Sequence, residues 1–353
     1  MKKSGIILLL VITLVSFGMY SLLFKDRVNR MQEISPESLP RTANDASEKP
    51  NEDAAGSIRN ENHRNSIFNL IYKEFDGSEF TVGNVLARDT SYTRYFISYK
   101  SDGLTISGIM NVPVGEGPFP VLILNHGYID PAVYTNGRGL KREQDYFARN
   151  GYIVIHPDYR GHAQSDPDPE ASDERGLAYS GYTTDVVNAI VALKKSQLSF
   201  VNIEKVGMLG HSMGGGVTMN ALIARPELID AAVLFAPVSS DYQKNFLRWR
   251  KDDISPADHS AIESEIGIVN DMNNFRAFSS ATYFDNIDDP ILIHHGTGDT
   301  DVPVAWSYET RDALQSAGKA VTFFAYPGEP HEFAVAWPLV MRRSLDFFNE
   351  NLR

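Results

Sequence analysis

Short, continuously apolar runs alternate with longer amphipathic stretches over most of this chain. The runs Val121 to Asn125, Tyr152 to His156, Val206 to Leu209, Ala231 to Ala236, Pro290 to His295 and Val321 to Tyr326 lack the every-second-residue polarity of a half-solvated strand. They predict strands buried on both faces, as parallel strands are. Between them, Lys141 to Arg149, Thr183 to Lys195, Gly216 to Arg225, Pro303 to Ala317 and Phe333 to Leu352 predict helices. Ahead of this series, Tyr92 to Tyr99 and Leu104 to Val112 predict an antiparallel hairpin turning at Ser101-Asp102-Gly103. The expected fold class is therefore α/β, a mostly parallel central sheet with helices on both faces and an N-terminal antiparallel hairpin.

The alternation breaks from Pro237 to about Asp289, where Tyr242, Phe246, Trp249, Phe275 and Phe278 stand among charges. This stretch predicts a helical cap insertion lying over the sheet. Its aromatic residues make a small core of their own, with Trp249 and Phe246 as candidates for also lining a substrate pocket. At the other end, Lys2 and Lys3 precede Gly5 to Phe24, a segment without a charge. As a helix it would reach about 30 Å, one hydrocarbon thickness. Residues 1–24 are expected to engage a membrane. They do so either as a signal anchor, with the following domain outside the cytoplasm, or as a signal peptide cut near the poor small-residue site Ser16-Phe17-Gly18, which would release a secreted or periplasmic protein. A buried helix fits less well, because nothing amphipathic shows there. Residues 25–66 carry Pro36, Pro40 and Pro50, many polar residues and no aromatic one, and predict a disordered linker. One domain is expected over residues 67–353.

Composition narrows the partners. With 42% hydrophobic residues in 353, the chain buries a full core, so wholesale disorder is excluded. A formal net charge of -12 without a basic cluster argues against a nucleic acid partner. The absence of cysteine removes disulfides, thiolate metal sites and a thiol nucleophile together.

The candidate chemistry begins at Gly210-His211-Ser212-Met213-Gly214, directly after one apolar run and directly before a helical stretch. In that context a G-x-S-x-G serine sits on a strained turn with its hydroxyl exposed, and each glycine avoids a collision with the neighbouring strand or helix. A serine hydroxyl is a poor nucleophile at neutral pH, so Ser212 needs a base, and the base needs an acid to fix its tautomer. Two further strand-end loops supply them: Asp299 in the loop after Pro290 to His295, and His331 in the loop before the last helix. Asp301, two positions on, is the rival acid. The N–H groups of Met213 and of Tyr128, in Asn125-His126-Gly127-Tyr128, are the expected oxyanion donors, with His126 shaping that turn. Asp158-Tyr159-Arg160-Gly161-His162 predicts an Arg and Asp network bracing the loop beside the serine. Asp166, Asp168, Glu170, Asp173 and Glu174 lack calcium-loop spacing and predict a solvated surface rather than a metal site. No cofactor is expected.

These residues resemble the α/β-hydrolases, in which the triad follows the order Ser, Asp, His. Within that group the chain resembles the catalytic domain of the prolyl oligopeptidase family of serine peptidases. The resemblance rests on Asp158-Tyr159-Arg160-Gly161, the turn at Ser212, His295-Gly296-Thr297 with Asp299 and Val302-Pro303, and His331, and covers about residues 93–353. It implies a Ser212, Asp299, His331 triad acting on a small peptide. Two departures qualify it. Too few residues separate Ile67 from the central fold for a four-bladed propeller of about 160 residues, and Gly210 to Gly215 looks as much like lipases and carboxylesterases. An acyl-ester substrate, and an inactive hydrolase fold serving as a binding protein, stand as alternatives.

Overall fold

In the computed structural model, which describes residues 58, 60–168, 179–249, 260, 263, 267 and 271–353, apolar alternation within the strands decides which helices they face. The strands are β1 (Ser78–Arg88), β2 (Tyr92–Ser101), β3 (Leu104–Pro113), β4 (Phe119–Asn125), β5 (Ile153–Pro157), β6 (Val201–His211), β7 (Ala231–Phe235), β8 (Ile291–Gly296) and β9 (Val321–Tyr326). The helices are α1 (Ile67–Tyr72), α2 (Lys141–Arg149), α3 (Ser180–Ser196), α4 (Met213–Ala224), α5 (Tyr242–Trp249), α6 (Val304–Ser316) and α7 (Trp337–Leu352). Val121, Ile123, Ile153, Ile155, Met208, Leu234 and Ile293 point into one core, shared with Val187 and Ile190 of α3 and Val217 and Leu222 of α4. Their neighbours Leu122, Leu124, Val154, Leu209, Val233 and Leu292 point into the other, shared with Phe147 of α2 and Val340 and Phe348 of α7. Both faces of the sheet are thus covered, which is why the runs read as continuously apolar.

Among the described residues nine strands form one sheet in the order β1-β2-β3-β5-β4-β6-β7-β8-β9. The expected hairpin is β2 and β3, paired antiparallel from Tyr92↔Pro113 to Ser101↔Leu104. From β5 onward the pairings are parallel. The chain runs from β4 outward to β5 and then crosses back to β6 on the other side of β4. That reversal opens a crevice at the carboxyl ends of β4 and β6, where ligands bind in open α/β sheets.

Several elements differ from the expectation for identifiable reasons. β1 was not foreseen: it is an exposed edge strand whose pairing with β2 shifts register three times, so its polarity does not alternate. α4 starts at Met213, ahead of Gly216, despite a glycine run that disfavours helix. Packing overrides propensity there, since a Cβ on Gly215 would lie 2.6 Å from Pro237 and one on Gly216 2.9 Å from Val238. α7 starts at Trp337 rather than Phe333, because Phe333 takes φ 49° in the loop before it. Order also begins before Ile67: residues 60–66 form turns, Asn60 Nδ2 donates to Asn274 O at 2.9 Å, and Ser66 caps α1 by accepting from Asn69 N. The remainder of the expected linker, and the whole of segment 1–24, lie outside the described residues. No helix among the described residues is long and apolar enough to cross a membrane.

The insertion is described in part. α5 and the 3-10 turns Met272–Phe278 and Ser280–Asn286 flank a stretch that is mostly outside the described residues. Tyr242, Phe246, Phe275, Ala277 and Phe278 form its small core.

Candidate active site

β6 delivers its last residue, His211, straight into Ser212, and α4 begins one residue later. Ser212 has φ 56° and ψ -120°, a backbone state that costs about 1–3 kcal/mol in a residue with a side chain. Its neighbours hold it there. Ser212 N donates to Phe235 O at 2.9 Å, and Ser212 O accepts from Gly215 N at 2.9 Å and Val238 N at 3.1 Å. The two motif glycines are required by space: a Cβ on Gly210 would run into Gly214 O and Thr218 Oγ1, and one on Gly214 into the backbone of Asn125. Met213 N–H, the first of α4, has no carbonyl one turn back and so is available to an oxyanion. The loop after β4 closes over the same spot, since a Cβ on Gly127 would lie 3.1 Å from Ser212 Cβ. Beneath that loop His126 packs flat on Tyr159, with ring centres 4.2 Å apart, and its Nδ1 faces Gly127 O at 2.7 Å. Burial, and after it the neighbouring His156 and His162, push its pKa far down.

The loop after β8 carries Asp299, and the loop after β9 carries His331. Their contact is short: His331 Nδ1 to Asp299 Oδ2 is 2.6 Å, with the Asp299 side chain fully buried and that of His331 14% exposed. Because the carboxylate accepts, Nδ1 carries the proton and Nε2 is left as the basic nitrogen. Asp299 Oδ1 is held by Asp301 N at 2.8 Å and Val302 N at 2.9 Å. Burial alone would push the Asp299 pKa up, but hydrogen bonds from His295, His331 and Val302 N outweigh it and keep the carboxyl well below the usual range. Asp301 comes within 4.8 Å of Asp299 and His331, and it bonds Asp299 through its backbone N–H. The His211 ring meets that of His331 at a 45° tilt with centres 4.5 Å apart, and its Nε2 faces His331 O at 3.2 Å. Burial first, then the charge on His331, push the His211 imidazole down to about 3.

A cavity of about 500 Å³ joins these groups: Ser212, Met213, His331, Tyr128 and Trp249 all line it. Phe246 does not. Of the two aromatic candidates in the insertion, Trp249 faces the cavity, while Phe246 is fully buried against Phe275. The cap core of Tyr242, Phe275 and Phe278 takes Phe246, while Trp249, the last residue of α5, reaches the cavity. Trp249 also meets Trp306 of α6 edge-on at 5.4 Å. Beside it, Arg248 donates to Thr300 O at 2.9 Å and Asp301 O at 2.8 Å, tying the insertion to the acid loop.

The Arg160 network differs in its partners. Arg160 binds the buried Asp185 of α3 at 2.8 Å and Asp168 at 2.8 Å. Asp158 instead accepts from Ser107 Oγ, Asn136 Nδ2, Tyr134 OH and Gly137 N, between 2.6 and 2.9 Å. Nor are Asp166 and Asp168 merely solvated, since Asp166 accepts from Thr105 N at 2.7 Å and Asp168 pairs with Arg160. Glu170, Asp173 and Glu174 lie outside the described residues. One residue of the site was missed from sequence: His295, the buried last-but-one residue of β8, with Nε2 3.1 Å from Asp299 Oδ2. Only its position four residues before the acid hinted at it.

A nine-stranded, mostly parallel sheet with a strained serine at the β6–α4 turn defines an α/β-hydrolase. Solved structures agree on that fold. Acetyl Xylan Esterase 1 from Thermoanaerobacterium sp. JW/SL YS485 superposes with a TM-score of 0.59 at 17% identity, covering 84% of this chain and 96% of that one. Pyrococcus horikoshii acylaminoacyl peptidase superposes with a TM-score of 0.56 at 21% identity, covering 74% of this chain and 42% of the other. The chain belongs to the prolyl oligopeptidase family, whose model matches residues 138–353. Among curated relatives, an uncharacterized protein of Mycobacterium tuberculosis is 36% identical over 118 residues, 33% of this chain and 29% of the relative. The match thus spans under a third of the length of the first curated relatives.

Proposed function

We propose that this chain is a serine hydrolase that cleaves a peptide bond through an acyl-enzyme, with Ser212 as nucleophile, His331 as base and Asp299 as the acid that orients it. The observation that carries the reading is the 2.6 Å contact of Asp299 with His331 Nδ1 at a cavity that also holds the strained Ser212. In this mechanism Ser212 Oγ attacks a carbonyl carbon and gives its proton to His331 Nε2. The carbonyl oxygen becomes an oxyanion held by the N–H groups of Met213 and Tyr128. His331 then protonates the leaving amine, and water, activated by the same nitrogen, hydrolyses the acyl-enzyme. No cofactor enters any step. Family membership supports the amide substrate.

Carboxylester cleavage is the second reading. It is favoured by the acetyl xylan esterase, which matches nearly end to end, whereas the acylaminoacyl peptidase is matched over less than half its length. Amide and ester share the tetrahedral intermediate, so a substrate panel separates them: aminoacyl anilides against p-nitrophenyl esters of short acids. Release of p-nitrophenol without anilide cleavage would replace the peptidase reading by the esterase one. A fluorophosphonate probe tests the enzyme reading itself: a wild type that stays unlabelled leaves a binding protein instead, and labelling that survives Ser212→Ala removes Ser212 as the nucleophile. Attachment to a membrane through Gly5 to Phe24, with the catalytic domain outside the cytoplasm, remains part of the proposal on the strength of the sequence alone.

A further inference from the structure

His295 is wholly buried at the end of β8, beside the acid but outside the cavity lining. Three contacts decide which of its ring nitrogens donates to the acid. Nε2 faces Asp299 Oδ2 at 3.1 Å and Val302 O at 3.0 Å, and Nδ1 faces Ser307 Oγ at 2.7 Å. A peptide carbonyl only accepts, so Nε2 carries the proton, and in the neutral ring Nδ1 accepts from the Ser307 hydroxyl. The Asp299 oxygen that accepts from His331 Nδ1–H therefore also accepts a hydrogen bond from a second imidazole.

We propose that His295 is a positioning residue that holds Asp299 Oδ2 toward His331 and shares its negative charge. Two backbone N–H groups fix Oδ1, but they leave the carboxylate plane free to swing about them; the His295 N–H removes that freedom from behind. Ser307 of α6 sets the donor, because its hydroxyl satisfies Nδ1 and leaves Nε2–H to point at the acid. The loop from Gly296 to Val302 is thereby held to α6 through a ring rather than through its own short turns. A core-filling histidine would need packing alone; here all ring nitrogens are committed, and one of them is committed to the acid.

The inference rests on the serine hydrolase reading, and the experiment separates the two. The rate of fluorophosphonate labelling is measured against pH for the full chain, His295→Leu and His295→Gln, with folding checked by circular dichroism. Leucine fills the space without a donor, while glutamine offers an N–H where Nε2 stands. In His295→Leu, labelling is expected to slow by roughly tenfold or more through misorientation of the acid. Its acid limb is expected to move to higher pH, since a carboxylate relieved of one donor attracts the imidazolium more strongly. His295→Gln is expected to restore most of both. A folded His295→Leu with the wild-type rate and limb overturns the proposal, as does a slowed rate with an unmoved limb that glutamine does not rescue. If the wild type itself is unlabelled, the hydrolase reading fails, and the proton between His331 and Asp299 is followed by NMR instead. A far-downfield resonance lost in His331→Gln and unchanged in His295→Leu overturns the proposal, and one displaced or lost in His295→Leu sustains it.

Discussion

Asp299 Oδ2 lies 2.6 Å from His331 Nδ1, while Asp301, two residues on, supplies Asp299 with a backbone N–H. The two acids are therefore separable by mutation. Asp299→Asn keeps the shape but presents an amide that can favour the wrong imidazole tautomer, and kcat is expected to fall by about 10⁴. Asp301→Asn keeps its N–H and is expected to lose less than about tenfold. Steady-state kinetics on the best substrate of the panel decides; equal losses would make Asp301 the acid.

Trp249 and Phe246 are three residues apart on α5 and face different surroundings. Trp249→Ala is expected to raise KM with little change in the unfolding midpoint. Phe246→Ala empties a buried site and is expected to cost about 3–5 kcal/mol in urea unfolding. The reverse pattern would mean that the cap packs differently over the cavity.

Gly214 has no room for a side chain. Gly214→Ala would drive a methyl into the Asn125 backbone, at the end of β4 that carries the Gly127 loop. Expected losses are about 1–3 kcal/mol of stability together with a disproportionate fall in kcat. An active, fully stable variant would contradict the packing at this turn.

Stability should fall on acidification. His211 is pushed from its ordinary 6.5 to about 3, so below about pH 6.5 the unfolded chain binds a proton that the folded one refuses. The loss continues as the pH falls toward 3. His126, also depressed by burial, acts in the same direction. Asp299, held below its ordinary 3.8, adds a loss only under that value. Thermal unfolding between pH 7 and about 4 reads the slope, and His211→Asn is expected to flatten it. An unchanged slope would mean that His211 is protonated in the folded chain.

The full chain is expected to sediment with membranes and to become soluble when residues 1–24 are removed. Fractionation of both forms, with protease protection to give the side, checks this; a full chain found entirely in the cytosolic fraction would refute it.

The sheet and the three side chains of the proposed triad were legible because each depends on a local signal: doubly buried strands are continuously apolar, Gly210 and Gly214 are spatial necessities, and Asp299 and His331 each follow a strand. What escaped depends on distance. β1 is paired through irregular registers that break its alternation. The buried partner of Arg160 is Asp185, on a helix that sequence places far from it. His295 reads as the polar end of a strand, and only the folded loop brings its ring onto the acid. The side of α5 that faces the cavity was undecidable, since Tyr242, Phe246 and Trp249 all suit a core.

Arg248 grips the loop after β8 through main-chain oxygens, those of Thr300 and Asp301. Such a clasp imposes no demand on side-chain identity in the loop it grips. The roof can thus drift in sequence, and selectivity with it, while the machinery underneath keeps its form. Chimeras exchanging this segment between homologues would inherit new preferences without new chemistry, provided the arginine travels with the graft.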